Sequence, residues 1–416
     1  MKRVSSFCAL AALCAAVIAL PARAAENART TRTAKTAKTA DAAGTAGLDP
    51  SLLAGMEARS IGPAAMSGRV AAIAGSAADP DLLYVGAASG GVWKSVDAGL
   101  TWEPVFDDQP VASIGAIAVD AANPAVVWVG TGEANPRNSV SVGNGLYRSL
   151  DGGHTWQHLG LDKTEHIADV ALDPGDPRVA YVAALGQVWG ENPERGVFKT
   201  EDGGKTWRKV LYVDERTGAA QLVMDPANPR KLFAAMWDFR RWPWAFRSGG
   251  PGSGLFVTYD GGEHWRKLTE DDGLPKGDFG RVGVAIAPSD PRVVYALVEA
   301  EQSALARSED GGRTFKAVNT EVNVSPRPFY FAGVHVDPAD PNRIYRREVA
   351  LDVSNDGGKT FETLASGRAV HPDHHTLWFD PHDPRHLYDG NDGGVAESRD
   401  RGATWRFIAD LPLAQL

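Results

Sequence analysis

One eight-residue pattern, S/T-x-D-x-G-x-T/H-W/F, returns seven times along this chain, so the fold has to be one that uses it seven times. It appears first as Ser95-Val96-Asp97-Ala98-Gly99-Leu100-Thr101-Trp102, and again around Asp151, Asp202, Asp260, Asp310, Asp356 and Asp400 at intervals of 44 to 58 residues. Between successive boxes lies a short apolar run, an Asp-Pro or similar turn, and a second short run. Val170–Pro174 leading to Val179–Val182 is one example, and Val223–Pro226 leading to Leu232 and Phe233 is another. Each unit therefore reads as four short antiparallel strands with turn chemistry between them. Seven such units of about 50 residues predict an all-β fold, a seven-bladed propeller of four-stranded blades.

The box has its own local logic. Asp-Gly or Gly-Gly supplies the positive φ that a tight turn needs. The carboxylates of Asp97, Asp151, Asp202, Asp260, Asp310, Asp356 and Asp400 can accept hydrogen bonds from turn amides, and the aromatic residue that ends each box can cover the hairpin. Seven near-copies point to scaffold, because an active site is built once.

Up-and-down strands put the boxes and the Asp-Pro turns on one face and send the irregular insertions to the other. Three second-to-third-strand loops stand out on that opposite face. They are the stretch from Gly130 holding Glu133, Asn135 and Arg137, the stretch from Gly186 holding Trp189, Glu191 and Arg195, and the stretch from Trp237 to Arg247. The last holds Trp237, Asp238, Arg240, Arg241, Trp242 and Trp244. Four of the twelve tryptophans lie in these loops, outside any box, and with arginines and carboxylates they make a candidate surface for sugars or peptides. The competing reading is a lid that packs on its own propeller. The segment entering the seventh unit adds His371, Asp373 and His374, and the next turn adds Asp392. Their spacing is no helical zinc pattern, and adjacent strand residues point to opposite faces, so hydrogen bonding across the central opening is expected rather than metal or another cofactor.

The first residues stand apart from the fold. Met1-Lys2-Arg3, the apolar run Cys8–Leu20 and Pro21-Ala22-Arg23-Ala24 form a signal peptide over 1–24, with cleavage after Ala24 and a periplasmic or secreted destination. Residues 25–47 have almost no large apolar side chain and read as a disordered linker. The propeller is expected over 48–416, either alone or as the first part of a longer architecture, with no transmembrane segment. That part carries 36 Lys plus Arg against 50 Asp plus Glu, a balance unsuited to nucleic acid. Both cysteines, Cys8 and Cys14, leave with the signal. The segment Glu57–Ile61 is the candidate strand for closing the ring against the last blade.

The boxes resemble the Asp-box, or BNR, repeats of several propeller families. These include sialidases, xyloglucanase-type glycoside hydrolases, the sortilin/Vps10 N-terminal domain and photosystem II assembly-factor propellers. Ser60-Ile61-Gly62-Pro63 and Gly86–Lys94 are similar to the opening segments of long bacterial exported proteins of this kind. The resemblance implies the fold but not the chemistry. Sialidases need an early R-I-P segment, which this chain lacks. Xyloglucanase-type enzymes carry a catalytic Asp in a T-D-I-G-G segment, and the comparable Ala87–Gly91 here has Ala88 in its place. That hydrolysis needs two carboxylates. The sequence thus points to an exported propeller that binds a peptide or glycan through its insertion-bearing face without catalysis of its own. The alternative is a xyloglucanase-like hydrolase domain, or half of a two-propeller enzyme. Catalytic residues and oligomeric state stay open.

Overall fold

In a computed structural model, which describes residues 67–365 and 370–413, the second strand of five blades is buried along its whole length. Leu83–Ala87, Val127–Thr131, Ala180–Ala184, Val294–Val298 and Leu387–Asn391 have no exposed residue. The cause is geometric: each blade is covered on both faces by its neighbours, so a middle strand has no solvent side and its sequence is a continuous apolar run. Outermost strands escape this cover. Glu103–Pro104, Gln157–His158 and Arg406–Phe407 are short and exposed, which leaves little free edge for pairing with another chain.

The strands form seven sheets, each with a four-strand antiparallel meander drawn from one continuous stretch of chain. Blade one runs from Val70 to Pro104, and blade seven from His374 to Phe407. Blades two to six start at Ile114, Ile167, Thr217, Val282 and Gly333. The apolar cores lie in the seams. Tyr84 and Phe106 of blade one pack on Val127 and Tyr147 of blade two, and the same arrangement recurs around the ring. At the seam between the last and first blades, Tyr388, Val395 and Ile408 pack on Val70, Leu83 and Val85.

A repeated tyrosine links neighbours across these seams. The Tyr84 hydroxyl donates to the carbonyl of Gly152 in the next box, and Tyr181 does so to Gly261. Tyr388 donates to Ala98 in the box of blade one, so the ring closes with the bond that joins sequential neighbours. Ser67 adds a main-chain bond to Gly393 and a hydroxyl bond to Leu413. Signal peptide, linker and the proposed closing strand Glu57–Ile61 lie outside the described residues.

The boxes behave as caps for their own turns. In blade five Asp310 accepts from Ser308 Oγ, from the amides of Arg313 and Thr314, and from Thr314 Oγ1 at 2.6–2.9 Å. Most boxes place two glycines at positive φ, but Ala98 and Arg401 occupy that left-handed position in the first and last.

Two local features differ from the sequence reading. The stretch from Trp237 is no irregular loop: the second strand of blade four runs on from Asn228 to Trp242, turns at Pro243-Trp244 and returns as Ala245–Ser248. Cross-strand pairing of Phe239 with Ser248 and Arg241 with Phe246 extends the blade as a finger, which the absence of an Asn-Gly turn signal had hidden. The second feature is a bulge near the start of the first strand in blades one, two, three, four and seven. The extra residue is Ala71, Gly115, Ala168, Ala220 or His375, and each lies on the central channel. In blade seven the bulge turns His374 and His375 both to the channel, against the simple alternation expected of a strand.

Candidate functional site

At the centre of the insertion-bearing face, side chains from blades one, two and seven meet in one chain of charge and hydrogen bonds. Arg69, just before the first strand, donates from Nη1 to Glu133 and from Nε to Asp392, both at 2.7 Å. Asp392 also accepts from His375 Nε2 at 2.7 Å and from Arg137 at 3.1 Å. With Nε2–H donating to Asp392, His375 Nδ1 accepts from Asn135 Nδ2, and the Asn135 carbonyl accepts from Arg281 of blade five. Tyr330, from the segment entering blade six, accepts from Arg137 and lies under the guanidinium groups of Arg69, Arg137 and Arg327.

The electrostatics follow from burial and pairing. Burial pushes the Glu133 carboxyl up while Arg69 pulls it down, and the net direction is up. Burial also works against Asp392, but hydrogen bonds from His375 and Arg69 hold it well below the usual carboxylate range. Burial keeps His375 biased to the neutral form despite Asp392. Glu133 is 2% exposed. Glu133 and Asp392 therefore converge, but as two partners of one guanidinium that ties the first blade to its neighbours on both sides.

The other expected residues divide by position. Asp238 is buried at the base of the finger between Arg216 at 3.1 Å and Arg247 at 2.9 Å. Trp237, 0% exposed, stacks on Phe239 under the finger. Arg195, also 0% exposed, donates to the carbonyls of Gln187, Gly190 and Arg216 and so shapes its own loop. These two were expected as ligand contacts, and the structure instead makes them interior props. Arg241 reaches the carbonyl of Pro136 and the side chain of Asn138, and its amide donates to Val188. The insertions of blades two, three and four are thus in contact. The finger tip stays outside: Trp244 is 83% exposed, Trp242 carries Arg240 and Arg247 against its ring, and Trp189 on the neighbouring loop is 37% exposed. Glu191 is exposed beside Trp189.

Of the histidine segment, His371 bonds the Pro372 carbonyl, and Asp373 sits at positive φ with its carbonyl accepting from Asp392 N. His374 is fully buried and directs Nδ1 at both oxygens of Asp389. Among the described residues no three His, Cys, Asp or Glu side chains group as a metal site. Sequence reasoning passed over Arg69, His375, Tyr330 and Arg281. Arg69 and Arg281 each precede a first strand by one residue, a position that a blade-by-blade alignment of strand starts would have exposed.

Comparison with known proteins agrees with the architecture. The Sortilin-Vps10 family model, described as sortilin, neurotensin receptor 3, matches residues 144–274. A xyloglucanase of Paenibacillus sp is 26% identical over 222 residues, which is 48% of this chain and 20% of the relative. The chain spans well under two thirds of such relatives. The crystal structure of the xyloglucanase from Xanthomonas campestris superposes with a TM-score of 0.62 at 21% identity, covering 84% of this chain and 55% of that one. YCF48 bound to D1 peptide gives 0.54 at 14% identity, covering 82% and 97%. These findings fit a BNR/Vps10-like propeller related to the xyloglucanases.

Proposed function

We propose that this chain, a seven-bladed propeller related to the xyloglucanases and the sortilin/Vps10 domain, is an exported recognition module that binds a glycan or peptide across its insertion-bearing face. The observation that carries this reading is the finger of blade four, whose buried base fixes a tip of half-buried Trp242 and exposed Pro243 and Trp244 among cations. A rigid base with an exposed aromatic tip is the arrangement of a binding hot spot, because the ordering cost is met before the ligand arrives. Flat aromatic faces suit sugar rings, and guanidinium groups suit carboxylates and peptide carbonyls. The glycan arm has support from the xyloglucanase relatives and the peptide arm from YCF48.

Catalysis by this chain alone fits less well. Glu133 and Asp392 are the carboxylates that come together, and both are spent on Arg69. The hydrolase reading keeps one favourable observation, that burial and pairing drive these two carboxyls in opposite directions, as an acid and base require. An array of xyloglucan oligosaccharides and peptides, probed with the folded chain and with Trp242→Ala/Trp244→Ala, tests the proposal. Binding should be lost in the double variant while its stability stays within about 1 kcal/mol of the parent. Release of reducing sugar by the chain alone, abolished by Glu133→Gln at unchanged stability, would establish the hydrolase reading instead.

A further inference from the structure

Beneath the charged centre, the upper half of the channel is a cavity of about 220 Å3. Its wall has two sides. Blades one to four contribute small apolar residues such as Ala72, Ala116, Ala168 and Ala220, interrupted by Asn135, Asp169 and Gln221, while Arg281, His335, Arg347 and His374 come from blades five to seven.

The polar side is not used up. The buried Nε2 of His374 has no partner, and in the tautomer whose Nδ1–H donates to Asp389 at 2.8 Å it offers a lone pair to the cavity. Nε2 of His335 and Nε of Arg347 are unpartnered as well. Among the described residues Arg347 makes no ion pair. The carboxylates within electrostatic reach are Asp389, Asp169 and Glu348: the first is engaged by His374 and Asn391, the second by the amides of Val170 and Leu222, and the third accepts from Ser325 while burial pushes its carboxyl up to about 8. Burial pushes the Arg347 guanidinium down to about 10, which leaves it charged at neutral pH. Water in the cavity could meet the nitrogens, but it would not neutralise the cation.

We propose that the axial cavity binds a small hydroxycarboxylate, with its carboxylate on the Arg347 fork, its hydroxyl donating to His374 Nε2, and its carbon skeleton against the alanine side. An aligned guanidinium–carboxylate pair is the strongest of these contacts, and the hydroxyl donor distinguishes the ligand from a simple fatty acid. This site is separate from the exposed finger, so it stands or falls independently of the recognition reading.

The test uses the full folded chain with lactate as probe, propionate as the hydroxyl-free acid and glycerol as the uncharged control, all at constant ionic strength. Lactate should raise the Tm in a concentration-dependent way, propionate should do so at least about tenfold more weakly, and glycerol should do nothing. Arg347→Met should abolish the response without lowering the Tm of the unliganded protein, because it removes an unpaired cation. If that variant fails to fold, the 15N resonance of His374 Nε2 in the unaltered chain decides, and it should shift with lactate along the thermal-shift isotherm. No response to lactate, equal responses to lactate and propionate, a response that survives Arg347→Met, or a still Nε2 resonance would each overturn the proposal.

Discussion

A single carboxylate in each box gathers three or four donors, and this accounts for the insistence on Asp at seven positions. Glu would carry the oxygens one methylene too far, and Asn would lose the charge that strengthens each bond. Asp310→Ala removes the acceptor that caps the exposed amides of Arg313 and Thr314 and should cost about 0.5–2 kcal/mol in denaturant unfolding, as the loss of a capping side chain does, with ligand binding unchanged. Hydrogen bonds from Thr314 and Ser308 outweigh burial and hold the Asp310 carboxyl down at about 2. A depressed folded value means its contribution is present above the unfolded value near 4 and is lost as pH falls towards 2. Asp169 works in the opposite sense. Burial in the channel wall pushes its carboxyl up to about 6, so its contribution is complete below about pH 4 and fades as pH rises through 6. Asp169→Asn should therefore flatten the stability profile between about pH 4 and 6 and leave the acid limb below pH 4 in place.

The elements show where a sequence speaks clearly and where it does not. Box turns and Asp-Pro turns are local events, set by residues within eight positions of one another, and these were legible in Asp97–Trp102 and its six counterparts. The blade four finger was not. Trp237, Phe239, Arg241 and Phe246 read as aromatic insertion, whereas cross-strand pairing and the packing of Trp237 on Phe239 and Phe246 make them a hairpin that also meets the loops of blades two and three through Arg241. The first-strand bulges were equally hidden, because a one-residue excess shows only against a partner strand. That is why His375, the residue that spans from Asp392 to Asn135, was not singled out. The boxes of blades one and seven hold a test at this scale. Ala98 adopts φ 56° where glycine is strain-free, so Ala98→Gly should be neutral or stabilising by up to about 1 kcal/mol. Clear destabilisation would show that its methyl group contributes to the seam.

For the whole molecule, the count of seven followed from the repeat, while the expected closing strand Glu57–Ile61 lies outside the described residues. Each described blade uses its own four strands, and the last seam is held by packing, by the Tyr388–Ala98 bond, by the Ser67 bonds to Gly393 and Leu413, and by the Arg69–Asp392 pair. If that seam is equivalent to an interior one, Tyr388→Phe and Tyr181→Phe should lower unfolding stability by the same amount within about 0.5 kcal/mol. A much larger loss at Tyr388, or a separate early transition, would mark the closing seam as the weak point of the ring. Closure matters for recognition because the Arg69 clamp, the finger and the loop of blade three share one face only in a closed ring. Hydrogen exchange with the strongest glycan or peptide from the array measures where that ligand sits. Protection should appear in residues 133–145, 187–195 and 238–248, with the box turns unchanged. Protection confined to the box turns would contradict recognition through the insertion-bearing face.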